Sequence, residues 1–562
     1  MTIAPSSAAA AADSLLASLD PEQRAAATLP DGPAQIIAPA GSGKTTTLIA
    51  RLGVLLGCGV AADRIGVVTF NRDAAAELAA RIATRLAPHA PGAEAIEVRT
   101  LHAMARQVLL DAGRPVRLLP DRLPLLRAAQ RRALAELPAA ADGVDPPPQP
   151  PDPAALDTIV SAWKVEGRTT PPEATATVDA FAALMAMRGQ IDFDDLVVGA
   201  VAALEEDAQL RGRWQARFSH LCVDEFQDVD AAQLRLIRLL AAPEDNLFVV
   251  GDDDQTIYAW RLADVRRILG FGAAYPGARR IQLATNYRCP PAVIAASRQL
   301  IEVNRERFAK RIEPPWDAQP AEDALVAVST ADGSWPDRLS ALAAEESTAG
   351  RTICFLSRTR SELSPLLIAL VRAGIPHRTS VPATLEMEPV RQLLADATRM
   401  PEESPAFPAM LHARAARGWR RSDASDTIGD DEHAAIDALL GWAAGYRTLG
   451  AFLEGERAAA TRIDQLRRDD AAVELITVHG AKGREWQTVV VLQVEDGHIP
   501  NRRSLVGGDD PARAMEEERR LAYVAFTRAT RRLVLAYDPA RPSPFLGEMG
   551  LLPRGRPPAP RR

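Results

Sequence analysis

The sequence predicts an α/β protein with two similar lobes, each built on a parallel sheet and each carrying a helical insertion. Short apolar runs alternate with helical patterns between residues 34 and 102, as in successive βαβ units. A second series of apolar runs begins at Leu325. Long helical segments interrupt both series, because a structureless loop of about a hundred residues is implausible inside a compact domain.

The first series of strands surrounds a glycine-containing loop. A helix is predicted to start at Asp20, which suits an N-cap, with Pro21 in its first turn. A second, amphipathic helix is predicted over residues 73–86. The predicted strands are Ala34–Ile37, Ile65–Phe70, Ile96–Val98, Leu221–Val223, Asn246–Gly251 and Arg280–Leu283.

The second series of strands predicts the second sheet. Its members are Leu325–Val328, Thr352–Leu356, Leu475–Val478, Val489–Leu492 and Arg532–Leu535. The expected domain boundaries are 19–103 and 194–280 for the first lobe, 104–193 for its insertion, 281–400 and 472–547 for the second lobe, and 401–471 for its reduced insertion. We expect a disordered leader at 1–18 and a disordered tail at 548–562, because of their Ala/Ser-rich and Pro/Arg-rich compositions.

The composition excludes several classes of protein. No apolar run approaches the roughly 18 residues of a membrane span, and the N-terminus lacks the pattern of a secretory signal. The four cysteines are far apart, which excludes a zinc ribbon or an iron–sulfur cluster and favours a reduced, cytoplasmic protein. The net charge of −7 does not exclude nucleic acid, because binding needs only a local basic groove.

The segment Ala38–Thr45 follows a predicted strand and opens a predicted helix, which is the context of a phosphate-binding loop. Its glycines let the backbone wrap around an anion, Lys44 can reach the β- and γ-phosphate oxygens, and Thr45 supplies a hydroxyl for Mg²⁺. An ordinary Gly/Ser turn is the alternative, but the chain has only four lysines, and one stands here. The residues expected to hold the nucleotide are Ala40, Gly41, Ser42, Gly43, Lys44, Thr45 and Thr46.

The pair Asp224 and Glu225 ends a predicted strand of the same series. Asp224 can hold Mg²⁺, and Glu225 can orient and deprotonate an attacking water. An Asp-Glu pair alone is most often a solvated turn. Its place after an apolar strand, in a chain that carries Ala38–Thr45, favours the catalytic interpretation.

The block Gly251–Arg261 combines three acids, an amide and two aromatic residues directly after a strand. One interpretation buries Tyr258 and Trp260 and leaves Asp252–Asp254 as a solvated cap. In the functional interpretation Gln255 senses the γ-phosphate, and the two rings stack on nucleic-acid bases, each worth roughly 1–3 kcal/mol.

Two arginines, Arg288 and Arg528, stand in distinctive local contexts, although most arginines in this chain are expected to be surface residues. As fingers from the second lobe they would neutralise charge that develops on the γ-phosphoryl group. Such groups contribute on the order of 10³–10⁵ in rate.

The segments that carry chemistry follow one another in a defined order. They are Ala38–Thr45, Thr69–Leu78, Thr100–His102, Val223–Asp228, Gly251–Arg261, Asn286–Arg288, Thr477–Trp486 and Glu517–Ala529. In this order they resemble the motifs of a UvrD/Rep-type DNA helicase of superfamily 1, over roughly residues 19 to 547. In that family Ala also often replaces the first glycine of the phosphate loop.

The resemblance implies two RecA-like lobes and an ATP- and Mg²⁺-dependent motor with 3′-to-5′ polarity. It implies that Gln23 reads adenine, that Tyr287 stacks on it, that Arg288 touches the γ-phosphate and that Glu485 helps to hold the nucleotide. The residues that it implies for DNA contact are Phe70, His102, Tyr258, Trp260 and His479. We expect a monomer acting on single-stranded DNA or a single-strand/duplex junction in repair, replication or recombination, with unknown protein partners.

The chain departs from the family pattern at three places. Arg72 and Asp73 replace the usual Asn and basic residue, which puts DNA contacts of that motif in doubt. Arg484 and Trp486 replace Leu and Phe, so that Arg484 could add a phosphate contact while Trp486 packs in the core. The insertion at 401–471 is short, which makes duplex unwinding less certain than movement on single strands.

Three rival interpretations remain open. The first is a translocase that strips proteins from DNA with little unwinding. The second is a nucleotide-gated DNA-binding protein with negligible turnover. A phosphate-loop enzyme such as a small-molecule kinase is a distant third, because the aromatic residues of Gly251–Arg261 would then have no purpose.

Overall fold

The structure, a computed structural model, describes residues 13–136, 151–379, 384–419, 430–506 and 510–552. Contacts divide the chain into two units. Unit 1 extends to Ala284 and also includes Glu306–Arg311, and unit 2 contains Thr285–Arg305 and the chain from Ile312 onward. Each unit is described separately below.

Unit 1 contains a six-stranded parallel sheet with the strand order β3-β2-β4-β5-β1-β6. The strands are β1 (Ala34–Ile37), β2 (Ile65–Thr69), β3 (Glu97–Thr100), β4 (His220–Val223), β5 (Leu247–Gly251) and β6 (Arg279–Gln282). Every residue of β1, β2, β4 and β5 is buried, as expected for parallel strands covered by helices on both faces. The order places β4, β5 and β1 side by side, so that their carboxyl ends meet at one edge.

Helices of unit 1 cover both faces of this sheet and form a separate cluster. They are α1 (Pro21–Ala27), α2 (Lys44–Gly57), α3 (Arg72–Arg85), α4 (Leu101–Asp111), α5 (Leu123–Glu136), α6 (Pro153–Glu166), α7 (Pro172–Arg188), α8 (Phe193–Glu206), α9 (Ala208–Arg217), α10 (Ala231–Ala241), α11 (Val265–Leu269) and α12 (Phe271–Ala274). Helices α5, α6 and α7 share a core of their own around Leu126, Val160 and Phe181.

Unit 2 contains a second six-stranded parallel sheet, with the order β7-β12-β11-β8-β10-β9. The strands are β7 (Leu325–Ser329), β8 (Ile353–Ser357), β9 (His377–Thr379), β10 (Val473–Thr477), β11 (Trp486–Val491) and β12 (Ala529–Tyr537). The two parallel sheets with flanking helices confirm the predicted fold class. The sequence analysis did not predict β9, because its three residues are polar and form no apolar run.

The helices of unit 2 lie beside its sheet and in a second cluster. They are α13 (Pro291–Ile301), α14 (Trp335–Thr348), α15 (Ser364–Ala373), α16 (Glu388–Ala397), α17 (Ala406–Ala416), α18 (Asp430–Ala443), α19 (Leu449–Ala460), α20 (Ile463–Leu466), α21 (Arg502–Val506), α22 (Pro511–Phe526) and α23 (Pro544–Glu548). Helices α16 to α20 pack around Leu393, Ile436 and Phe452.

The structure describes only part of the predicted leader and only part of the predicted tail. Residues 1–12 of the predicted leader and 553–562 of the predicted tail lie outside the described residues. Residues 13–17 are helical, and Leu15 and Leu16 pack against Ala27 and Ala50. Residues 13–17 of the predicted leader are therefore helical and in apolar contact, which its Ala/Ser-rich composition did not indicate. Within the described ranges no helix is both long and apolar enough to span a bilayer.

The N-cap of α10 is a partly buried carboxyl group, that of Asp230. Asp230 caps this helix by accepting a hydrogen bond of 2.8 Å from the Gln233 N–H. Burial raises the pKa of Asp230 from 3.8 to about 6, with a further rise from Asp194, while the Gln233 N–H and Arg267 act in the opposite direction. The ionised carboxylate therefore destabilises the fold above pH 6, and this cost disappears as the pH falls toward 3.8.

Replacing Asp230 by Asn keeps a side-chain acceptor for the helix cap and removes the buried charge. We expect Asp230→Asn to stabilise the protein at pH 7.5 by on the order of 1–3 kcal/mol. The difference in melting temperature between variant and wild type should shrink when both are measured at pH 5. An equal difference at the two pH values would show that the charge of Asp230 carries no cost.

Candidate nucleotide site and nucleic-acid interface

Three loops of unit 1 meet at the edge formed by the carboxyl ends of β1, β5 and β4. The segments that follow these strands are Ala38–Gly43, Asp252–Gln255 and Asp224–Glu225, respectively. Ligands of open parallel sheets bind at this edge, outside the carboxyl ends of the strands. The topology thus brings together three segments that are far apart in the sequence.

The phosphate loop has the backbone that an anion site requires. Gly41 and Gly43 adopt left-handed conformations with φ of 72° and 79°. Gly43 has no side chain to cap α2, so the positive N-terminus of this helix is open to an anion. The Ser42 hydroxyl is buried and has no hydrogen-bond partner among the described residues, and a phosphate oxygen would satisfy it.

Gln23 lies directly against this loop. Its Nε2 donates to the Ser42 carbonyl at 3.0 Å, and its Oε1 accepts from the Asp20 N–H at 3.3 Å. A Cβ atom added at Gly43 would lie 2.5 Å from Gln23 Nε2 and would displace that amide, and the φ of 79° at this position also favours glycine. The structure therefore places Gln23 at the loop, and its reading of adenine stays a prediction.

Lys44 and Glu225 face each other across the site, with Nζ and Oε1 separated by 3.8 Å. Glu225 is held in a left-handed conformation with φ of 52°, which is uncommon outside glycine and often marks a functional site. Gln227 Nε2 donates to Glu225 Oε2 and fixes the direction of that carboxylate. Asp224 precedes it, and its Oδ1 accepts from the Glu225 N–H at 2.9 Å.

The oxygen donors here suit a magnesium ion. Thr45 offers a hydroxyl in the first turn of α2, and Asp224 offers a carboxylate after β4. Hydroxyl and carboxylate oxygens, with water and phosphate oxygens, are the ligands that Mg²⁺ prefers. Thr46 follows Thr45 in the same helical turn and is partly exposed.

The acidic run Asp252–Asp254 is not a solvated cap. All three side chains are fully buried, and Lys310 contacts each of them. Gln255 is also buried, and its Nε2 donates to Asp252 Oδ2 at 2.7 Å. Burial alone would raise the pKa of Asp252, but the charges of Lys310 and Lys44 hold it below its ordinary value. The interpretation that exposes these acids and buries the aromatic residues is therefore wrong.

Tyr258 and Trp260 of this block form a partly exposed aromatic stack with Phe70, which follows β2. Phe70 and Tyr258 lie parallel with ring centroids 4.8 Å apart, and Trp260 meets Tyr258 at 6.3 Å. Arg261 lies 4.6 Å from the centroid of the Trp260 ring, which is 46% exposed. The structure thus brings together three of the residues predicted to contact DNA.

His102 also belongs to unit 1, in the first turn of α4. Its ring meets the ring of Phe193 edge-on at 5.5 Å. Burial lowers the pKa of His102, which favours its uncharged form, and the nearby charge of Arg261 acts in the same direction. Phe193, which is 37% exposed, was not among the residues predicted from the sequence to contact DNA. The sequence did contain one indication, the position of Phe193 directly after Asp192. Asp192 caps α8, so the side chain of Phe193 lies at the end of that helix.

Unit 2 contains the other residues predicted to contact the nucleotide, which are Tyr287, Arg288, Glu485 and Arg528. Arg288 Nε lies 2.7 Å from Glu485 Oε2, and its Nη1 donates to the Thr527 carbonyl at 3.3 Å. Tyr287, beside Arg288 in the sequence, is half exposed. Arg528 is buried and donates to the Val524 carbonyl at 2.8 Å and to the Thr527 hydroxyl at 3.1 Å. Contact of these arginines with a phosphate stays a prediction.

The two unusual residues near β11 share one carboxylate. Glu474 Oε2 accepts from Arg484 Nη2 at 2.7 Å and from Trp486 Nε1 at 3.0 Å. Trp486 is buried, in agreement with the prediction of core packing. The guanidinium of Arg484 lies over the Trp486 ring and is engaged with Glu474, so its predicted phosphate contact would have to compete with that ion pair. His479 lies in the short helical turn that follows β10.

Models of two helicase domains match this chain. A model of the UvrD/REP helicase N-terminal domain matches residues 19–276, and a model of the UvrD-like helicase C-terminal domain matches residues 443–539. The ATP-dependent DNA helicase UvrD2 of Mycobacterium tuberculosis is 31% identical over 97% of this chain and 83% of its own length.

Two further relatives are similar over comparable lengths. DNA helicase II of Escherichia coli is 27% identical, covering 95% of this chain and 88% of that protein. The ATP-dependent DNA helicase PcrA of Bacillus subtilis is 26% identical, covering 96% and 85%. These matches confirm the family that the motifs predict: the chain belongs to the UvrD/Rep family of helicases.

Proposed function

We propose that this chain is an ATP-dependent DNA helicase that translocates on single-stranded DNA with 3′-to-5′ polarity. The observation that carries the proposal is the continuity of one short loop. Gln255, in the segment that meets the phosphate loop at one edge of the sheet, and Tyr258, in the partly exposed aromatic stack, are three residues apart in the chain after β5. A change at the γ-phosphate and a change in the stacking of Tyr258 on a base would therefore act on the same backbone segment.

The roles proposed for unit 1 follow from its geometry. The loop amides and the Ser42 hydroxyl would bind phosphate oxygens, and Lys44 would exchange its contact with Glu225 for the β- and γ-phosphates. Glu225, oriented by Gln227, would then be free to activate the attacking water. Mg²⁺, held by Thr45 and Asp224, would neutralise charge on the phosphate oxygens.

The roles proposed for unit 2 concern charge and adenine recognition. Arg288 and Arg528 would stabilise charge on the γ-phosphoryl group, and the half-exposed Tyr287 ring would stack on adenine. In the structure, Arg288 is paired with Glu485. Because an anionic phosphate competes with a carboxylate for the same guanidinium, nucleotide binding would redistribute this pair.

The proposed DNA interface of unit 1 combines stacking and charge. Phe70, Tyr258 and Trp260 would stack on successive bases, and Arg261 adds a positive charge beside the outermost ring. Phe193, packed on His102, offers a second exposed aromatic edge. In unit 2, His479 is proposed to lie near the strand. We infer a monomer acting at single-strand/duplex junctions in repair, replication or recombination.

A second candidate function differs in what the motor does to a duplex. The segment 401–471 contains only the helices α17 to α20 in its described part, and the sequence analysis identified it as short for the family. This favours a translocase that removes bound proteins and unwinds little. The names of the relatives, all DNA helicases, favour unwinding.

Two assays on the same preparation separate these candidates. We expect ATP-dependent displacement of a strand from a forked duplex with a 3′ single-stranded tail, together with translocation on single strands. Translocation without strand displacement would favour the protein-removing translocase. Displacement only from a 5′-tailed fork would contradict the proposed polarity.

The catalytic role of Glu225 is tested by Glu225→Gln, which keeps the shape and removes the base. We expect single-stranded DNA to stimulate ATP hydrolysis of the wild type, and the stimulated kcat of the variant to fall by about 10²-fold or more. Binding of a fluorescent ATP analogue should be retained. Unchanged hydrolysis would remove Glu225 from this role, and a wild type without DNA stimulation would contradict the motor itself.

The aromatic stack is tested by Tyr258→Ala and Trp260→Ala in equilibrium binding of an oligonucleotide without nucleotide. Each variant should lose roughly 1–3 kcal/mol of binding free energy, whereas Tyr258→Phe keeps a stacking face and should bind nearly as the wild type. Trp316→Ala is the matched control, because it removes a tryptophan that is 97% exposed and belongs to unit 2. Equal losses in the control and the stack variants would contradict a specific role of the stack.

A further inference from the structure

We propose that Lys310, assisted by Arg307, is a positioning residue for ATP hydrolysis that fixes Gln255 through the buried aspartates Asp252–Asp254. This inference rests on the proposed function, because it assigns a supporting group to the same nucleotide site. It adds a residue from outside the motifs that the sequence analysis identified.

The ion pairs around Lys310 are fully enclosed within unit 1. Its Nζ lies 2.6 Å from Asp252 Oδ1, 2.6 Å from Asp253 Oδ1 and 2.9 Å from Asp254 Oδ2, and all four side chains have no exposed surface. Arg307 adds a bidentate pair to Asp254, with N–O distances of 3.0 and 2.8 Å. Three carboxylates are thus held by two cations.

A buried cluster of charges adds little net free energy to the stability of a fold. Removing charges from water costs several kcal/mol per ion, and an apolar replacement of similar volume is often neutral or stabilising. What such a cluster does provide is fixed geometry, because every charged oxygen needs its partner. The cluster is therefore better explained by what it holds in place.

Asp252 connects the cluster to the predicted catalytic residues. Its Oδ1 binds Lys310, its Oδ2 accepts from Gln255 Nε2 at 2.7 Å, and its N–H donates to Gln227 Oε1 at 2.9 Å. Gln227 in turn orients Glu225. By fixing the carboxylate of Asp252, Lys310 fixes the amide of Gln255 that would meet the γ-phosphate.

The segment that carries Lys310 has an unusual place in the chain. Glu306–Arg311 belongs to unit 1, whereas the residues before and after it belong to unit 2. Its last residue, Arg311, pairs with Glu22 at 2.9 Å, next to Gln23 in helix α1. This segment thus touches both the side of the site that carries Gln255 and the side that carries Gln23.

The decisive variant removes the lysine while balancing the charge. Lys310→Met combined with Asp253→Asn removes one cation and one carboxylate, and the asparagine oxygen can still accept the Phe308 N–H that Asp253 now binds. We expect the DNA-stimulated kcat to fall by about ten-fold or more, with KM for ATP within about three-fold of the wild type. A folded double variant with wild-type kcat would overturn the proposal.

Arg307→Gln provides a milder test that does not depend on the double variant folding. It removes a bidentate partner of buried Asp254, which keeps Lys310. Arg351→Gln is the matched control, because it removes a bidentate partner of buried Glu346, which keeps Arg531. We expect a lower kcat only for Arg307→Gln, and equal kcat in the two variants would contradict the positioning role.

Hydrogen exchange separates this inference from the proposed function, because it requires no turnover. The backbone N–H of Asp252 donates to Gln227, and those of Asp254 and Gln255 donate to Asp252. They should exchange faster in Lys310→Met/Asp253→Asn than in Arg351→Gln, and equal rates would overturn the inference. A wild type that lacks DNA-stimulated hydrolysis would instead reject the proposed function and leave the exchange result to decide on Lys310.

Discussion

The hydrogen bonds of one buried amide, Gln227, connect the candidate catalytic base to the loop that carries the aromatic stack. Its Nε2 holds Glu225, and its Oε1 accepts from the Asp252 N–H at 2.9 Å. A Cβ atom added at Gly251 would lie 2.6 Å from that same Oε1, so the strand end must be glycine for the bridge to form. The roles proposed for Gln255 and Tyr258 both depend on this connection.

The sheet makes that bridge possible. Because β4 and β5 are parallel neighbours, the residues that follow them are adjacent in space although Glu225 and Asp252 are separated by a full helix, α10. The carboxylates so assembled need compensation away from water, and Lys310 and Arg307 supply it. The arrangement thus combines a rigid buried support with an exposed face at Trp260.

The sequence predicted those parts of the site that depend on local patterns. Gly41–Thr45 and Asp224–Glu225 are short segments at strand ends, so strand prediction alone indicates their common edge. Lys310 could not be found in this way, because it lies 58 residues from Asp252 and follows no periodic pattern. Phe193 and β9 were missed for related reasons, since an exposed aromatic residue and a polar three-residue strand carry no apolar repeat.

The coupling of the nucleotide site to DNA, proposed through the loop after β5 that Gln227 holds, is tested most directly by the DNA dependence of ATP hydrolysis in Gln227→Met. This change approximately conserves volume and removes the hydrogen bonds of the amide, including those to Glu225 and Asp252. The account predicts that the variant still binds ATP and single-stranded DNA, but that single-stranded DNA no longer stimulates its hydrolysis. Stimulation equal to that of the wild type would contradict it.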